Sequence, residues 1–427
     1  MGEFILGCSL AVVYAALFVI YLRWFIAHTQ GIRGAIAWSC LLRTLILILF
    51  LCWARPAYQE QIGISDADGY YDSALEYHNG LVNGQWQEIS PEPGSDAMAF
   101  IGALLYSPTH ASFEVMSAIS VLFSLIGATL FWAAVVLWCG PVAARFFLVG
   151  MMFWPSLLYW TGAFGKDNIA FLAMALVAHG YSRLCHSSQF WRPLPELLAG
   201  LLLLASIRIH YALVVVVSLG AAELYKTLVE QRSMRRTAVT LAAIVVLSPL
   251  CWQAVRSVIA ANTEKSVVEG FRDLSEVTAI GGSAVDSLET NSVSDMALNY
   301  PSGFVRVLFR PWIWEAHNSF AFLASLESTL LLLLALWRWR PVLRNIQNAA
   351  RSAFGVYCLA MLLLLILWNS TISNLGTISR YKTLLFPYLL AVVAVPVTKR
   401  LAEKADKRLP QGTVREDFST MASPPQF

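Results

Sequence analysis

"EVMSAISVLFSLIGATLFWAAVVLWC", residues 114–139, decides the fold class. It is an apolar run long enough to cross a lipid bilayer as a helix, and it is not alone. Stretches of roughly 17 to 25 apolar residues recur near 3–22, 36–54, 145–162, 168–184, 194–207, 210–225, 237–260, 319–337, 352–369 and 383–397, the sixth in chain order being short. The chain is 57% hydrophobic and only 13% charged, where a soluble domain carries about a quarter charged residues. These runs predict an all-α, polytopic membrane protein with about eleven transmembrane helices. The first run lacks a basic segment ahead of it, and Arg23 follows it, so it does not read as a signal peptide.

Lys and Arg set the orientation. With the N-terminus outside, the inside loops collect Arg23 and Arg33, then Arg145, then Arg183 and Arg192. Lys226, Arg232, Arg235 and Arg236 follow, then Arg338, Arg340, Arg344 and Arg351. Reading 194–225 as one span would flip the second half and put its basic loops on the wrong side. The arrangement divides the chain into an extra N-terminal span (1–35), a membrane-embedded domain (36–397) and a cytoplasmic tail (398–427). It leaves two long outside loops, 55–113 and 261–318, and loops of that length usually have a task. The net charge of +3 is too small to suggest nucleic acid. The seven cysteines are scattered without metal or disulfide spacing and read as small apolar fillers. The absence of an evident internal repeat weighs against repeat-built transporter folds.

The first outside loop opens with "ISDADGYYDSALEYHNG" (64–80). Ser65, Asp66 and Asp68 are N-cap types, and the spacing predicts a short interfacial helix stopped by Asn79-Gly80. Tyr70 and Tyr71 suit the head-group layer, and Tyr71, Ala74, Leu75 and His78 would form its apolar side. A carboxylate at that helix mouth can accept a proton from a hydroxyl, or hold a divalent cation such as magnesium or manganese between Asp66 and Asp68. The plainer reading is an ordinary helix cap.

Cations stand at other outside turns. In "PSLLYWTGAFGKD" (155–167), Lys166 could reach a phosphate at a helix N-terminus, with Asp167 as cap, or simply snorkel. Arg208 and His210 in "ASIRIHYAL" (205–213) break the positive-inside pattern, so Arg208 needs a partner. A lipid phosphate or a carboxylate such as Asp66 would serve. Arg380, Tyr381 and Lys382 in "NLGTISRYKTLLFPYLL" (374–390) suit a phosphate or pyrophosphate, or act as interface anchors. The second loop adds Arg306, Arg310, Trp312 and Trp314 in "FVRVLFRPWIWEAHN" (304–318), whose indoles could stack on sugars or lie among head groups. Arg43 and Glu327 fall inside predicted spans, where such residues usually face the bundle interior and pair.

Three motifs carry a family resemblance. Asp66, Tyr70 and Ala74 match Asp-x-x-x-Tyr-x-x-x-Ala, "SRYKTLLFP" looks like an Arg-Tyr-x-x-x-x-Pro pattern with one extra residue before the proline, and "PSLLYWTGAFGKD" is similar to a Pro-Ser…Trp…Lys-Asp segment of bacterial polysaccharide-locus proteins. The chain resembles the GT-C class of polytopic glycosyltransferases over residues 36 to 390. That resemblance implies a bacterial inner-membrane enzyme facing the periplasm or exterior. Its donor would be a polyprenyl-phosphate sugar, and its acceptor a glycan, lipid or protein. Asp66 or Asp68 would be the base, with Lys166, Asp167, Arg208, His210, Arg380, Tyr381 and Lys382 around the donor phosphate. The extra N-terminal span and the second acid depart from the class pattern. Two other readings remain: an oligosaccharide-repeat polymerase or ligase, and a transporter of a lipid-linked or anionic solute.

Overall fold

Residues 33–61, 65–85, 91–141, 143–186, 191–229, 284–285, 293–316 and 319–394 are described by a computed structural model of the chain. The expected spans 3–22 and 237–260, residues 261–283 and 286–292 of the second outside loop, and the tail 398–427 lie outside them.

The described chain opens on a continuous rod. Helix α1 (Arg33–Leu49) runs into a π-helical turn (Phe50–Ala54) and then α2 (Arg55–Gln61). The segment expected as the first outside loop is itself helical: α3 (Asp66–Val82) and α4 (Ser95–Thr109) pack together, so closely that a Cβ on Gly102 would lie 2.9 Å from that of Ala74. Helix α3 does not stop at Asn79-Gly80 as the sequence predicts. It runs one more turn and ends at Asn83 and Gly84, where Gly84 supplies the positive φ of 74° that glycine accepts without strain.

The bundle follows as α5 (Phe113–Cys139), α6 (Ala144–Phe153), α7 (Pro155–Trp160), α8 (Lys166–His186), α9 (Leu194–Ile207) and α10 (Ile209–Leu228). After a gap come α11 (Val293–Phe309), α12 (Ser319–Trp337), α13 (Trp339–Ala349), α14 (Ala353–Ser370) and α15 (Leu375–Ala394). Helix α8 is the axis, packed by α5 on one side and α9 on the other. Glycines make both approaches close. A Cβ on Gly127 would meet the Phe171 ring at 2.8 Å, and one on Gly200 would meet the Ala173 carbonyl oxygen at 2.7 Å. Small residues at such contacts let helices approach when lipid removes the hydrophobic drive between them.

Among the described residues, four helices are long and apolar enough to cross a membrane: 34–54, α5, α10 and α14. A fifth is reached if α12 and α13, bent by 84° at their junction, count as one span. The run 145–162 is interrupted at Trp154-Pro155, because the residue before a proline is driven out of the helical region. The run 194–225 is two helices that meet at Arg208. Helix α15 begins eight residues before its apolar run, with Asn374 Oδ1 accepting from Thr377 N at 3.1 Å. Arg380 and Lys382 therefore sit inside a helix, not ahead of one.

Candidate functional site

Four charged side chains from four segments form a ladder at one end of the bundle. Arg208, at the α9–α10 junction, donates through Nη2 to Asp167 Oδ1 at 2.5 Å. Arg380, in the second turn of α15, donates through Nε to Asp167 Oδ2 at 2.5 Å and through Nη1 to Asp66 Oδ2 at 2.6 Å. The ladder runs outward. Arg208 and Asp167 are buried, the Arg380 side chain is 21% exposed, and that of Asp66 is 63% exposed. Each position follows from local structure. Asp66 and Asp167 lie in the first turns of α3 and α8, where free N–H groups and the helix dipole favour an anion.

The walls are aromatic. The Arg208 guanidinium lies 4.4 Å from the Tyr381 ring centre and 5.6 Å from that of Tyr211. Arg380 lies 5.9 Å from the ring of Trp160. Lys166 Nζ stands 5.3 Å from the ring of Tyr70 and donates to Ser95 Oγ at 3.1 Å, which ties α8 to the start of α4. Burial, and then the Asp66 charge, push the Tyr70 hydroxyl up to about 12, so it stays a neutral donor at ordinary pH. Three cations thus face two carboxylates, a local excess of positive charge beside an exposed acid.

The second acid is elsewhere. Asp68 is buried and accepts on Oδ1 from Arg55 Nε at 2.8 Å, and on Oδ2 from Ser65 Oγ at 2.6 Å and Gln59 Nε2 at 3.3 Å. Ser65 Oγ in turn accepts from Asp68 N at 3.2 Å, so the pair caps α3. Burial pushes the Asp68 carboxyl up, but the Ser65 and Arg55 hydrogen bonds and the Arg55 charge outweigh it and hold the group below the usual carboxylate range. With Asp68 turned to Arg55 and Asp66 to Arg380, the two acids do not present a shared divalent-cation site, and no group of three metal-ligating side chains occurs among the described residues.

The remaining sequence candidates fall outside the ladder. His210 lies flat on Trp368, ring centres 4.8 Å apart, within the α10–α14 contact. Tyr71 donates to the Ala111 carbonyl at 3.1 Å and packs edge-on to Phe113. Lys382 points away from Arg380 into a cleft between α12 and α15, where Nζ donates to the Arg310 carbonyl at 2.6 Å and Ser328 Oγ at 3.0 Å. Arg310 pairs with Glu315, which also accepts from Trp312 N at 2.8 Å, while Trp312 and Trp314 stack 5.6 Å apart and Arg306 is buried. Arg43 and Glu327 do not pair with each other. Arg43 donates to Ser124 at 2.7 Å and Thr161 at 2.9 Å, and Glu327 accepts from Ser156 N at 2.9 Å.

Sequence reasoning passed over Arg55, Gln59 and Ser95. The Ser65-x-x-Asp68 spacing is a capping signature and was the available signal for the structural role of Asp68. The partner of Arg208 is Asp167, not Asp66: Asp167 is the acid at its own depth, while Asp66 sits at the solvent end. No protein-family model, no curated protein and no solved structure matches this chain, so the site stands on its own geometry.

Proposed function

We propose that the ladder is the catalytic centre of a membrane glycosyltransferase acting on the extracytoplasmic face, with a polyprenyl-phosphate sugar as donor. The supporting observation is an exposed carboxylate, Asp66, at the end of an ion-pair chain that also holds Arg380 and lies beside Lys166. In this reading Asp66 takes the proton of the acceptor hydroxyl. The hydroxyl oxygen bonds to the anomeric carbon, and the bond from that carbon to the phosphate oxygen breaks with its electron pair. Arg380 and Lys166 stabilise the negative charge that grows on the departing phosphate, where a fixed cation counts most. Asp167 holds Arg380 and Arg208 in place from below. The GT-C-like Asp-x-x-x-Tyr-x-x-x-Ala motif at Asp66 agrees with this assignment, which would place the chain in a bacterial inner membrane with the topology expected from the basic loops.

The test is turnover of membrane-lipid extracts by purified protein, followed by mass spectrometry of the lipid-sugar pool. Asp66→Asn and Arg380→Gln should abolish turnover, while Asp68→Asn should keep it in whatever fraction stays folded. Full activity in Asp66→Asn would sink the assignment.

One observation favours a second reading. The buried acid Asp167 grips two arginines at once, which suits a phosphate clamp whose chemistry needs no base. An oligosaccharide-repeat polymerase or ligase would be built that way. It predicts loss with Arg208→Gln and Arg380→Gln, but survival of Asp66→Asn.

A further inference from the structure

Helix α13 lies where a membrane surface would be. Helix α12 is 19 residues long, about 28 Å at the helical rise, close to the roughly 30 Å of a bilayer core. At Arg338 the chain then turns by 84° into α13. The segment Trp337–Ser352 carries four arginines and no acid.

The sides of α13 are sorted. Asn345, Ile346 and Ala349 face the bundle: Ala349 is fully buried, and Asn345 Nδ2 donates to the Val393 carbonyl at 2.9 Å. Next around the helix come Trp339 and Leu343, one turn apart and both exposed. Beyond them lie Arg340, Arg344 and Gln347, also exposed. The Arg340 guanidinium sits 5.2 Å from the ring of Trp339, and that of Arg338 lies 5.8 Å from the ring of Trp337, which is 75% exposed. An indole at acyl-chain depth with a guanidinium above it is the arrangement an in-plane helix uses at a lipid surface. Arginine matches phosphate through its planar fork of donors.

We propose that α13 is a binding site for anionic phospholipid head groups. Arg340 and Arg344 contact the lipid phosphates, and Trp339 and Leu343 enter the acyl layer beside the bundle. The site is separate from the Asp66 ladder and stands whatever reaction that ladder performs.

The test uses the full-length protein in nanodiscs of equal phosphatidylglycerol and phosphatidylcholine, with native mass spectrometry of the lipids retained on release. The wild type should retain phosphatidylglycerol preferentially. Arg340→Gln/Arg344→Gln should cut that preference about tenfold or more, since each basic residue at an anionic surface carries roughly a factor of five. Arg340→Lys/Arg344→Lys should keep most of it. Gln347→Arg, which extends the basic stripe, should raise it, a gain that misfolding cannot mimic. Equal retention of the two lipids by the wild type would overturn the proposal, as would an undiminished preference in the Gln pair or no gain in Gln347→Arg.

Discussion

Arg55 grips Asp68 through two nitrogens on one oxygen, with Nε 2.8 Å and Nη2 2.6 Å from Oδ1. The contact fastens the end of the α1–π–α2 rod to the first turn of α3 and so fixes where Asp66, two residues away, can reach. Asp68 is therefore the acid that holds the helix, and Asp66 is the acid the helix presents.

Asp68→Asn should lower stability by about 2 kcal/mol, because Arg55 loses its nearer counter-charge, keeping only Glu114 at 3.5 Å, and Ser65 loses a charged acceptor. Arg55→Gln should cost about as much, and the double variant less than the sum. Thermal unfolding of the four forms in one detergent measures the coupling. Additive losses would refute it.

The same contact sets an acid limit. The folded-state pKa of Asp68 is depressed, so its contribution is fully present above the unfolded value of about 3.9 and is lost as pH falls through the lower folded value. The stability gap between wild type and Asp68→Asn should be flat from pH 7 to 5 and close below about pH 4. A gap that narrows already between pH 7 and 5 would assign it to another group.

Asp167 neutralises Arg208 and Arg380 together, and both it and Arg208 are buried. Asp167→Asn should cost about 3–5 kcal/mol by leaving a buried cation without its counter-charge. Asp66→Asn, at the exposed end, should cost less than about 1 kcal/mol. Yields of folded, monodisperse protein from the two variants would rank them. The reverse order would contradict the burial gradient.

Arg43 is fully buried, and its described partners are hydroxyls that have acceptors of their own: Ser124 donates to the Val121 carbonyl and Thr161 to the Leu157 carbonyl. Replacing it leaves no orphaned acid. Arg43→Met should be neutral or raise stability by about 1 kcal/mol or more, read as a shift of the unfolding midpoint. A loss of several degrees would reveal a structural task that those hydroxyls do not explain.

The helical fold was legible because hydropathy is a one-dimensional signal. Most described helices fall on the runs read from sequence, but α4, α11 and α13 lie on none of them, and other errors sit at polar ends. The first turns of α15 carry site residues and so escape an apolar window. The members of the ladder were also legible, because a charge at a membrane-side turn is costly without a reason. Their pairing was not. Whether Arg208 meets Asp66 or Asp167 depends on depth along the bundle, which spacing does not encode. Lys382 was grouped with Arg380 by adjacency, yet two residues along a helix point in nearly opposite directions, and it faces α12 instead. Within the first long loop, α3 was legible from its cap and spacing, whereas its partner α4 was not, because its faces are only weakly amphipathic.

The Arg380–Asp66 bond joins positions 314 residues apart, near the two ends of the described chain. A ribosome delivers Asp66 and Asp167 to the membrane long before it delivers Arg380. Until α15 inserts, the outer acid has no arginine, and the inner acid has only one. The ladder is therefore also a record of completed biogenesis. Its last rung closes only when the final described helix is home, so a chain stalled before Leu375 lacks the site's excess positive charge and leaves Asp66 without its arginine.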